Sequence, residues 1–281
     1  MMGVNRRKFM KIAGVSVLGL GAVPAQVLAE DGLGFTISET LLHFFHKPAG
    51  TVAREALTAK RWGMAVNVRL LDDEMANACM EVCHRIHNVP KIDNPKHEVK
   101  WIWPDEFKHA FTSQEHEHIE EGLKKLPFLL MCNHCVNAPC CRVCPTQATF
   151  KRESDGIVLM DMHRCIGCRF CMAACPYGSR SFNWVDPRKY LKEEDENPEY
   201  PTRMKGVVEK CNFCAERLAK GKIPACVEIC QEMAKKKGTE PPLVFGDVDD
   251  PDSELRQLLR SSYTLRRKPE LGTSPNVFYV V

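Results

Sequence analysis

The sequence predicts an α+β fold made of two βαββαβ units, with loop insertions and a C-terminal extension. Three observations predict it. Cysteine-rich runs of related spacing recur four times along the 281 residues, which indicates an internal repeat. An alternating segment, Trp62 to Leu71, precedes a helical pattern, Glu74 to His87. Farther on, Phe150 and Lys151 and the run Ile157 to Asp161 flank an Asp-Gly turn, as in a hairpin.

The N-terminus has the layout of a cleavable export signal. It begins with a basic segment, N-R-R-K-F-M-K, which is followed by an apolar stretch from Ile12 to about Ala25 and then by V-L-A before Glu30. Arg6 and Arg7 make it a twin-arginine signal. The apolar stretch is shorter than the roughly 20 residues of a membrane span. We therefore predict cleavage after Ala29 and export to the periplasm. The alternative is that the segment stays attached as a membrane anchor.

The net charge argues against nucleic-acid binding. The formal charge is +3, but the first 29 residues contain four basic residues and no acidic one. The rest of the chain therefore carries −1. A nucleic-acid binder is expected to have a strong positive bias or a basic stripe. We exclude nucleic acid as a partner on this ground.

An insertion, Val89 to Leu130, separates the helical pattern from the first complete cysteine run. It contains W-I-W-P, a helix-like H-I-E-E-G-L-K-K-L segment and the histidines His109, His116 and His118. These histidines, like His134 and His163, have no ligand spacing, and most such histidines are surface groups. We predict that none of them binds a metal.

The spacing of the cysteines predicts paired iron-sulfur clusters. Two runs stand back to back, C-N-H-C-V-N-A-P-C-C-R-V-C-P from Cys132 and C-I-G-C-R-F-C-M-A-A-C-P from Cys165. The second has the C-x2-C-x2-C-x3-C-P spacing, in which three thiolates bind one cluster and the last binds the neighbouring cluster. A third run opens at Cys211 with the spacing C-x2-C-x11-C-x3-C. Such clusters transfer electrons, and we predict no catalytic residue.

A fourth run is incomplete. C-M-E-V-C-H supplies Cys79 and Cys83, but the first two ligand positions fall on Asp73 and Ala76. An alanine side chain cannot bind iron, so we predict that this fourth site is empty. Cys79 and Cys230 would then be remnants of one site. They should lie close together, either as a disulfide or as two buried thiols.

The exchange of the last cysteine between paired runs gives three groups of four ligands. The two adjacent runs complete each other, and the run from Cys211 is completed by the damaged one. The predicted ligands of three 4Fe-4S clusters are Cys132, Cys135, Cys140 and Cys175; Cys165, Cys168, Cys171 and Cys144; and Cys211, Cys214, Cys226 and Cys83. Cys141 then belongs to no cluster.

Two alternatives would explain many cysteines without clusters. Repeated C-x2-C pairs also build structural zinc sites with four thiolates. Zinc sites, however, lack the third close cysteine and the C-P ending. An exported, cysteine-rich chain can also be a disulfide framework. The twin-arginine signal favours clusters, because resemblance to that signal class implies export of a folded protein with its clusters already inserted.

Apolar residues in and after the second run are interpreted as surroundings of the clusters. Ile166 and Phe170 would limit the access of solvent to them. Phe182 and Trp184 are interpreted as core residues rather than electron relays.

The C-terminal extension begins near Gly246. P-D-S-E-L-R-Q-L-L predicts a short helix, with a proline near its start and an acidic residue in its first turn. The V-F-Y-V-V ending predicts an edge strand or a docking segment, and we expect the extension to wrap the surface. The predicted regions are a signal segment (1–29), a lead-in (30–60), a tandem iron-sulfur region (61–245) with its insertion (89–130), and the extension (246–281).

These features together resemble the iron-sulfur electron-transfer subunits that accompany membrane quinone-reactive proteins and molybdopterin oxidoreductases. The resemblance covers about Arg61 to Val281 and includes the Y-G-S-R-S-F-N-W segment. The twin-arginine leader, the C-H-R-I-H-N-V-P-K-I-D-N and K-W-I-W-P phrases and the truncated first run resemble the DsrO-like subunits of DsrMKJOP complexes. The resemblance implies bacterial-ferredoxin-like units carrying 4Fe-4S clusters.

The same resemblance implies partners and a location. The partners would be an NrfD-like integral membrane subunit that reacts with quinone and a multihaem cytochrome c, in dissimilatory sulfur metabolism. The chain contains no C-x-x-C-H haem attachment motif, so any haem belongs to a partner. The protein would lie on the outer face of the cytoplasmic membrane and would have no small-molecule substrate of its own. The alternative is the same role in a polysulfide, tetrathionate or nitrite reductase system, as in PsrB, TtrB or NrfC.

Overall fold

Short strands and helices alternate along the chain. The computed structural model describes residues 55–192, 194 and 196–281, so the predicted signal segment and nearly all of the lead-in lie outside the described residues. The strands are β1 (Trp62–Asn67), β2 (Ile102–Asp105), β3 (Phe128–Met131), β4 (Thr149–Lys151), β5 (Val158–Met160), β6 (Ser181–Phe182), β7 (Val208–Glu209), β8 (Leu243–Asp247), β9 (Thr264–Leu265) and β10 (Val277–Val280). The helices are α1 (Asp73–Ile86), α2 (Phe107–Ala110), α3 (Glu121–Lys124), α4 (Pro139–Arg142), α5 (Phe170–Ala174), α6 (Ala215–Leu218), α7 (Ala225–Lys237) and α8 (Glu254–Ser261). This mixture confirms the α+β class.

One mixed sheet forms the centre of the described residues. Its strand order is β8-β1-β10-β9, and β1 pairs antiparallel with β8 and parallel with β10. All but the last residue of β1 are buried. A strand that is covered on both faces reads as a nearly continuous apolar run, as W-G-M-A-V does. The other strands form three antiparallel pairs, β2 with β3, β4 with β5 and β6 with β7.

The helix after β1 begins and ends within one residue of its predicted bounds. The carboxylate of Asp72 caps it by accepting a hydrogen bond from the backbone N–H of Met75 at 2.8 Å. Its buried residues include Ala76, Cys79 and Cys83. They lie on the side of α1 that packs against α7. The packing of these two helices therefore sets where four of the cysteines lie, two on each helix.

The predicted hairpin is confirmed. β4 and β5 pair antiparallel, with Thr149 opposite Met160 and Lys151 opposite Val158. The turn between them places Gly156 at φ 76°, a conformation that glycine adopts without steric cost. The hairpin joins the first two cysteine runs.

The insertion packs into the core. Its predicted helix is reduced to the single turn of α3, and W-I-W-P supplies β2, which pairs with β3. Three rings meet edge to face at its centre: Phe111 lies 5.4 Å from Phe128 and 5.3 Å from Tyr279. All three side chains are fully buried.

The C-terminal segment corrects the sequence interpretation. V-F-Y-V-V forms β10, an inner strand between β1 and β9 rather than an edge strand. Val277 and Tyr279 are fully buried, and the Tyr279 hydroxyl donates a hydrogen bond to the Leu129 carbonyl at 3.1 Å. The segment therefore completes the central sheet instead of wrapping the surface. The predicted helix is confirmed as α8, with Ser253 as its cap.

Among the described residues, no helix combines the length and the apolar character that a membrane crossing requires.

Candidate metal centres

Four thiols from two runs converge on one cavity, which we call site 1 (Cys132, Cys135, Cys140 and Cys175). The empty space at this cavity is about 320 Å³, a volume that includes open solvent. Three of its cysteines lie in the loop after β3 and in α4, and Cys175 directly follows α5. No carboxylate or imidazole lines this cavity. A cavity lined by four thiols fits a metal group that is bound by soft thiolates.

A second cavity, site 2 (Cys144, Cys165, Cys168 and Cys171), shows the reciprocal arrangement. It holds about 270 Å³, again partly open to solvent. In this site, Cys144, which follows α4, lies with three cysteines of the next run. Although burial opposes it, hydrogen bonds from the Thr149 backbone and from Thr146 lower the pKa of Cys144. The Thr149 N–H donates to the Cys144 sulfur at 3.4 Å. Such bonds stabilise a thiolate ligand.

Site 3 (Cys83, Cys211, Cys214 and Cys226) lies deeper. All four thiols are buried. Burial raises the pKa of Cys83 well above its usual value, and the neighbouring thiols Cys211, Cys214 and Cys226 raise it further. The structure thus brings together one cysteine of α1, two from the loop after β7 and one of α7.

The three C-x2-C loops share one backbone conformation. The residue before the second cysteine has a positive φ in each, 42° at His134, 70° at Gly167 and 54° at Phe213. His134 and Phe213 stack on each other with ring centroids 3.7 Å apart, which brings the loops of sites 1 and 3 together. The shared conformation is a structural counterpart of the repeated spacing in the sequence.

We expect Gly167→Ala to destabilise the protein. A β-carbon there would lie 2.4 Å from the Gly206 carbonyl oxygen, at a φ of 70°. The left-handed conformation alone costs roughly 1–2 kcal/mol for a residue with a side chain, and the clash adds to it. Chemical unfolding should show this loss, and site 2 should lose metal first.

The matched control for this variant is Gly238→Ala. Gly238 ends α7 at a φ of 68°, and no atom lies within 4 Å of the position that a β-carbon would take there. Gly238→Ala therefore has the cost of the left-handed conformation but no clash. Equal losses of stability and of metal in the two variants would contradict the proposed role of the close approach at Gly167.

His134 corrects another sequence interpretation. It is 1 % exposed, so it is not a surface group. Its Nδ1 accepts a hydrogen bond from the Val158 N–H at 3.1 Å. Burial, and then the nearby Lys210 and Arg180 charges, hold the pKa of His134 well below its usual range, so the ring is neutral. The side chains that are exposed are those of His109, His116, His118 and His163.

Two buried cations, which the sequence pattern did not reveal, lie among the thiols. Arg180 lines site 1, and its Nη1 donates to Thr149 Oγ1 at 3.0 Å and lies 3.8 Å from the sulfur of Met160, which lines site 2. Lys210 donates to the Cys211 carbonyl at 2.8 Å. A hydrogen bond from Cys141 lowers the pKa of Cys140, and the charges of Arg180 and Lys210 lower it further. Arg180 lies within Y-G-S-R-S-F-N-W, which was the signal available in the sequence.

A buried histidine and a half-buried glutamate form a pair that adjoins site 3. His87 Nε2 lies 2.9 Å from a carboxylate oxygen of Glu216, and the imidazole stacks on Trp101. Burial opposes ionisation of Glu216, but the hydrogen bond from His87 lowers its pKa. His87, Glu216 and Cys214 offer ligand atoms within 4.8 Å of one another. Because Cys214 already faces the other thiols of site 3, we interpret the pair as a support of that loop.

The incomplete run supplies only two cysteines. Asp73 is exposed at the start of α1, and Ala76 is fully buried in the packing of that helix. Cys79 and Cys230 lie together as predicted, with their sulfurs 2.8 Å apart.

The sites differ in exposure. Ile166 and Phe170 beside site 2 are 67 % and 59 % exposed, and Ile166 lines the cavity of that site. Trp184, interpreted as a core residue, is 39 % exposed, and the Arg169 guanidinium lies 4.7 Å from its ring centre. Site 2 is thus the most exposed of the three sites, because three of its four thiols are only half-buried, whereas the thiols of site 3 are all buried.

Comparisons with known proteins give a consistent result. A family model described as a 4Fe-4S dicluster domain matches residues 125–189. The chain is 37 % identical to the Hdr-like menaquinol oxidoreductase iron-sulfur subunit 1 of Archaeoglobus fulgidus, over 98 % of this chain and 97 % of that protein. It is 34 % identical to the menaquinone reductase iron-sulfur cluster-binding subunit of Nitratidesulfovibrio vulgaris, over 78 % and 88 % of the two chains. It is also 34 % identical to NrfC of Escherichia coli, over 83 % and 86 %.

Proposed function

Because this chain belongs to the family of iron-sulfur subunits that includes the Archaeoglobus fulgidus and Nitratidesulfovibrio vulgaris proteins, we propose that it relays electrons through three 4Fe-4S clusters. The observation that carries the proposal is the crossed arrangement of sites 1 and 2. Each cavity takes three cysteines from one run and the last cysteine from the other. This is the exchange expected of paired clusters.

We assign one cluster to each site. The clusters supply one-electron oxidation and reduction, and the chain supplies ligands, positions and electrostatics. Arg180 and Lys210 offset the negative charge of the thiolates, while burial keeps water away from site 3. Backbone N–H groups such as that of Thr149 stabilise the thiolates by hydrogen bonding.

The proposed order of the clusters is site 2, site 1, site 3. Arg180 lines site 1 and contacts Met160 of site 2. The loops of sites 1 and 3 adjoin through the stacked His134 and Phe213 rings. Because site 2 meets the surface, we propose that one redox partner docks there, beside Ile166 and Phe170.

We further propose an exported subunit of a membrane redox complex, with an NrfD-like quinone-reactive subunit and a multihaem cytochrome c as partners, in dissimilatory sulfur metabolism. The names of two relatives, a menaquinol oxidoreductase and a menaquinone reductase subunit, support a quinone-linked complex. The similarity to NrfC supports the alternative, which is the same role in a polysulfide, tetrathionate or nitrite reductase system. Identification of the proteins that copurify with the tagged subunit from membranes distinguishes these systems.

The test of the clusters is iron and acid-labile sulfide per chain in anaerobically purified protein, with EPR of the reduced form. Three 4Fe-4S clusters predict about twelve irons. About sixteen irons would show that the fourth site is filled. Zinc without iron would overturn the proposal.

We expect Arg180→Gln to lower the reduction potentials of two clusters. A reduced cluster carries one more negative charge than the oxidised cluster, and a buried cation beside it stabilises the reduced form. Removing the charge should shift the clusters of sites 1 and 2 to more negative potentials, on the order of 60 mV, a tenfold change in the one-electron equilibrium. An EPR-monitored redox titration measures this shift.

Two controls accompany this variant. Arg180→Lys keeps the charge and should shift the potentials less, and the cluster of site 3 should stay unchanged in both variants. Arg188→Gln removes an exposed guanidinium whose partner is Asp186 and should change no potential. A uniform shift of all three clusters after Arg180→Gln would contradict the placement of Arg180 between two of them.

A further inference from the structure

A helix occupies the position where the fourth run would otherwise form a ligand loop. In the three complete runs, the C-x2-C segments Cys132–Cys135, Cys165–Cys168 and Cys211–Cys214 are loops or turns. The corresponding residues of the incomplete run belong instead to α1, which begins at Asp73. Ala76 is fully buried where a second ligand would lie. The chain at this position therefore packs helix against helix and leaves no loop to surround a cluster.

Two thiols remain at the contact between these helices. Cys79 of α1 and Cys230 of α7 are both 0 % exposed, and their sulfurs lie 2.8 Å apart. The Cys79 thiol also donates to the Cys226 carbonyl at 3.3 Å. A disulfide has its sulfurs about 2.05 Å apart, so bond formation needs an approach of less than about 1 Å. The two residues are 151 positions apart in the chain, so the bond would close a long loop.

We propose that Cys79 and Cys230 form a disulfide that joins α1 to α7 in place of the missing cluster. The inference rests on the proposed function, because the assignment of ligands to three clusters leaves these two thiols free. A cluster cross-links the segments that ligate it. The disulfide would supply such a cross-link where two ligand positions hold Asp73 and Ala76.

The oxidant in this proposal is a small-molecule disulfide, such as oxidised glutathione. One cysteine attacks a sulfur of the oxidant, which releases one thiol and leaves a mixed disulfide. The second cysteine then attacks the protein sulfur of that mixed disulfide. A second thiol leaves, and both cysteine protons end on the two released thiols. Because the pair is fully buried, the exchange proceeds through local opening of the α1–α7 contact.

The experiment uses the purified, cluster-loaded protein in anaerobic buffers of reduced and oxidised glutathione at several ratios. Each sample is quenched in acid, alkylated under denaturing conditions and digested with trypsin for mass spectrometry, and iron is measured in parallel. Trypsin leaves Cys79 in one peptide with Cys83 and Cys230 in one with Cys226. Fragment ions must therefore place the bond.

A cross-link between Cys79 and Cys230 that appears in the oxidising buffers, with iron unchanged, is the expected result. Alkylation of both residues at every ratio, with about twelve irons still bound, would overturn the disulfide and leave the three-cluster proposal standing. About sixteen irons, with both residues alkylated after the denaturing quench, would overturn the disulfide and the count of three together. A cross-link in protein without iron would support the disulfide and overturn the electron-relay proposal.

Variants give an independent readout. The wild type should have a higher Tm in the oxidising buffer than in the reducing one, and Cys79→Ser and Cys230→Ser should both lose this difference. Cys141→Ser is the control, because Cys141 lies beside Cys140 in α4 and should keep the difference. If the serine variants fail to fold, the mapping of the bond in the wild type still decides the question.

Discussion

Cys214→Ala is expected to lower the iron content from about twelve to about eight per chain and to destabilise the fold. Site 3 draws its thiols from α1, from the loop after β7 and from α7, so its cluster would join three segments. Loss of the cluster would leave three buried thiols with no metal group to hold their segments together. Metal binding and folding are coupled in such sites. Iron analysis and thermal unfolding measure the two effects.

Two further variants serve as comparisons. Cys168→Ala should lose the same amount of iron but cost less stability, because site 2 lies at the surface. Cys141→Ala should leave the iron content unchanged, because no site includes Cys141. Equal iron loss in all three variants would defeat the assignment of ligands.

The second large effect is expected from Glu209→Ala. The Glu209 carboxylate lies 2.6 Å from the Arg203 guanidinium, and both side chains are 0 % exposed. It also accepts a hydrogen bond from the Trp101 indole N–H at 2.7 Å and another from Asn183. Its removal leaves the Arg203 charge buried without its partner, which typically costs about 3–5 kcal/mol. Denaturant unfolding should show this loss.

An exposed ion pair provides the control for Glu209→Ala. Glu199 and Lys220 lie 2.8 Å apart, but their side chains are 73 % and 57 % exposed. Exposed pairs contribute roughly 0–1 kcal/mol, so Glu199→Ala should change stability little. A loss of less than about 1 kcal/mol in Glu209→Ala would show that the buried pair is not a main stabilising contact.

The features that the sequence predicted well depend on local signals. The helix α1 has a capping aspartate, Asp72, directly before it and a regular apolar face within its own 14 residues. The β4–β5 hairpin has its Asp-Gly turn. The grouping of the cysteines could be predicted because paired runs exchange their last cysteine. Under this rule, the spacing along the chain identifies which cysteines lie close together in the fold. The assignment of these groups as ligands stays a prediction.

The features that the sequence did not predict depend on contacts between distant segments. V-F-Y-V-V predicts a strand but not its position in a sheet. Pairing with β1 and β9 makes it an inner strand. His134 is buried because Phe213 stacks on it from another run. Arg180 lies between two thiol sites because its side chain lines site 1 and reaches Thr149 and Met160 of the β4–β5 hairpin. No pattern within a window of neighbouring residues contains this information.

The parallel pairing of β1 with β10 has a consequence for how the protein is made. Met64 pairs with Val277 and Asn67 with Val280, so the earliest strand of the described chain receives its neighbour from the latest one. During translation, β1 leaves the ribosome long before β10 exists, and the edge of β1 that pairs with β10 stays unpaired until β10 has been made. Contacts of such long sequence separation form slowly. A chaperone that shields this nascent edge would therefore have to remain bound until β10 has left the ribosome.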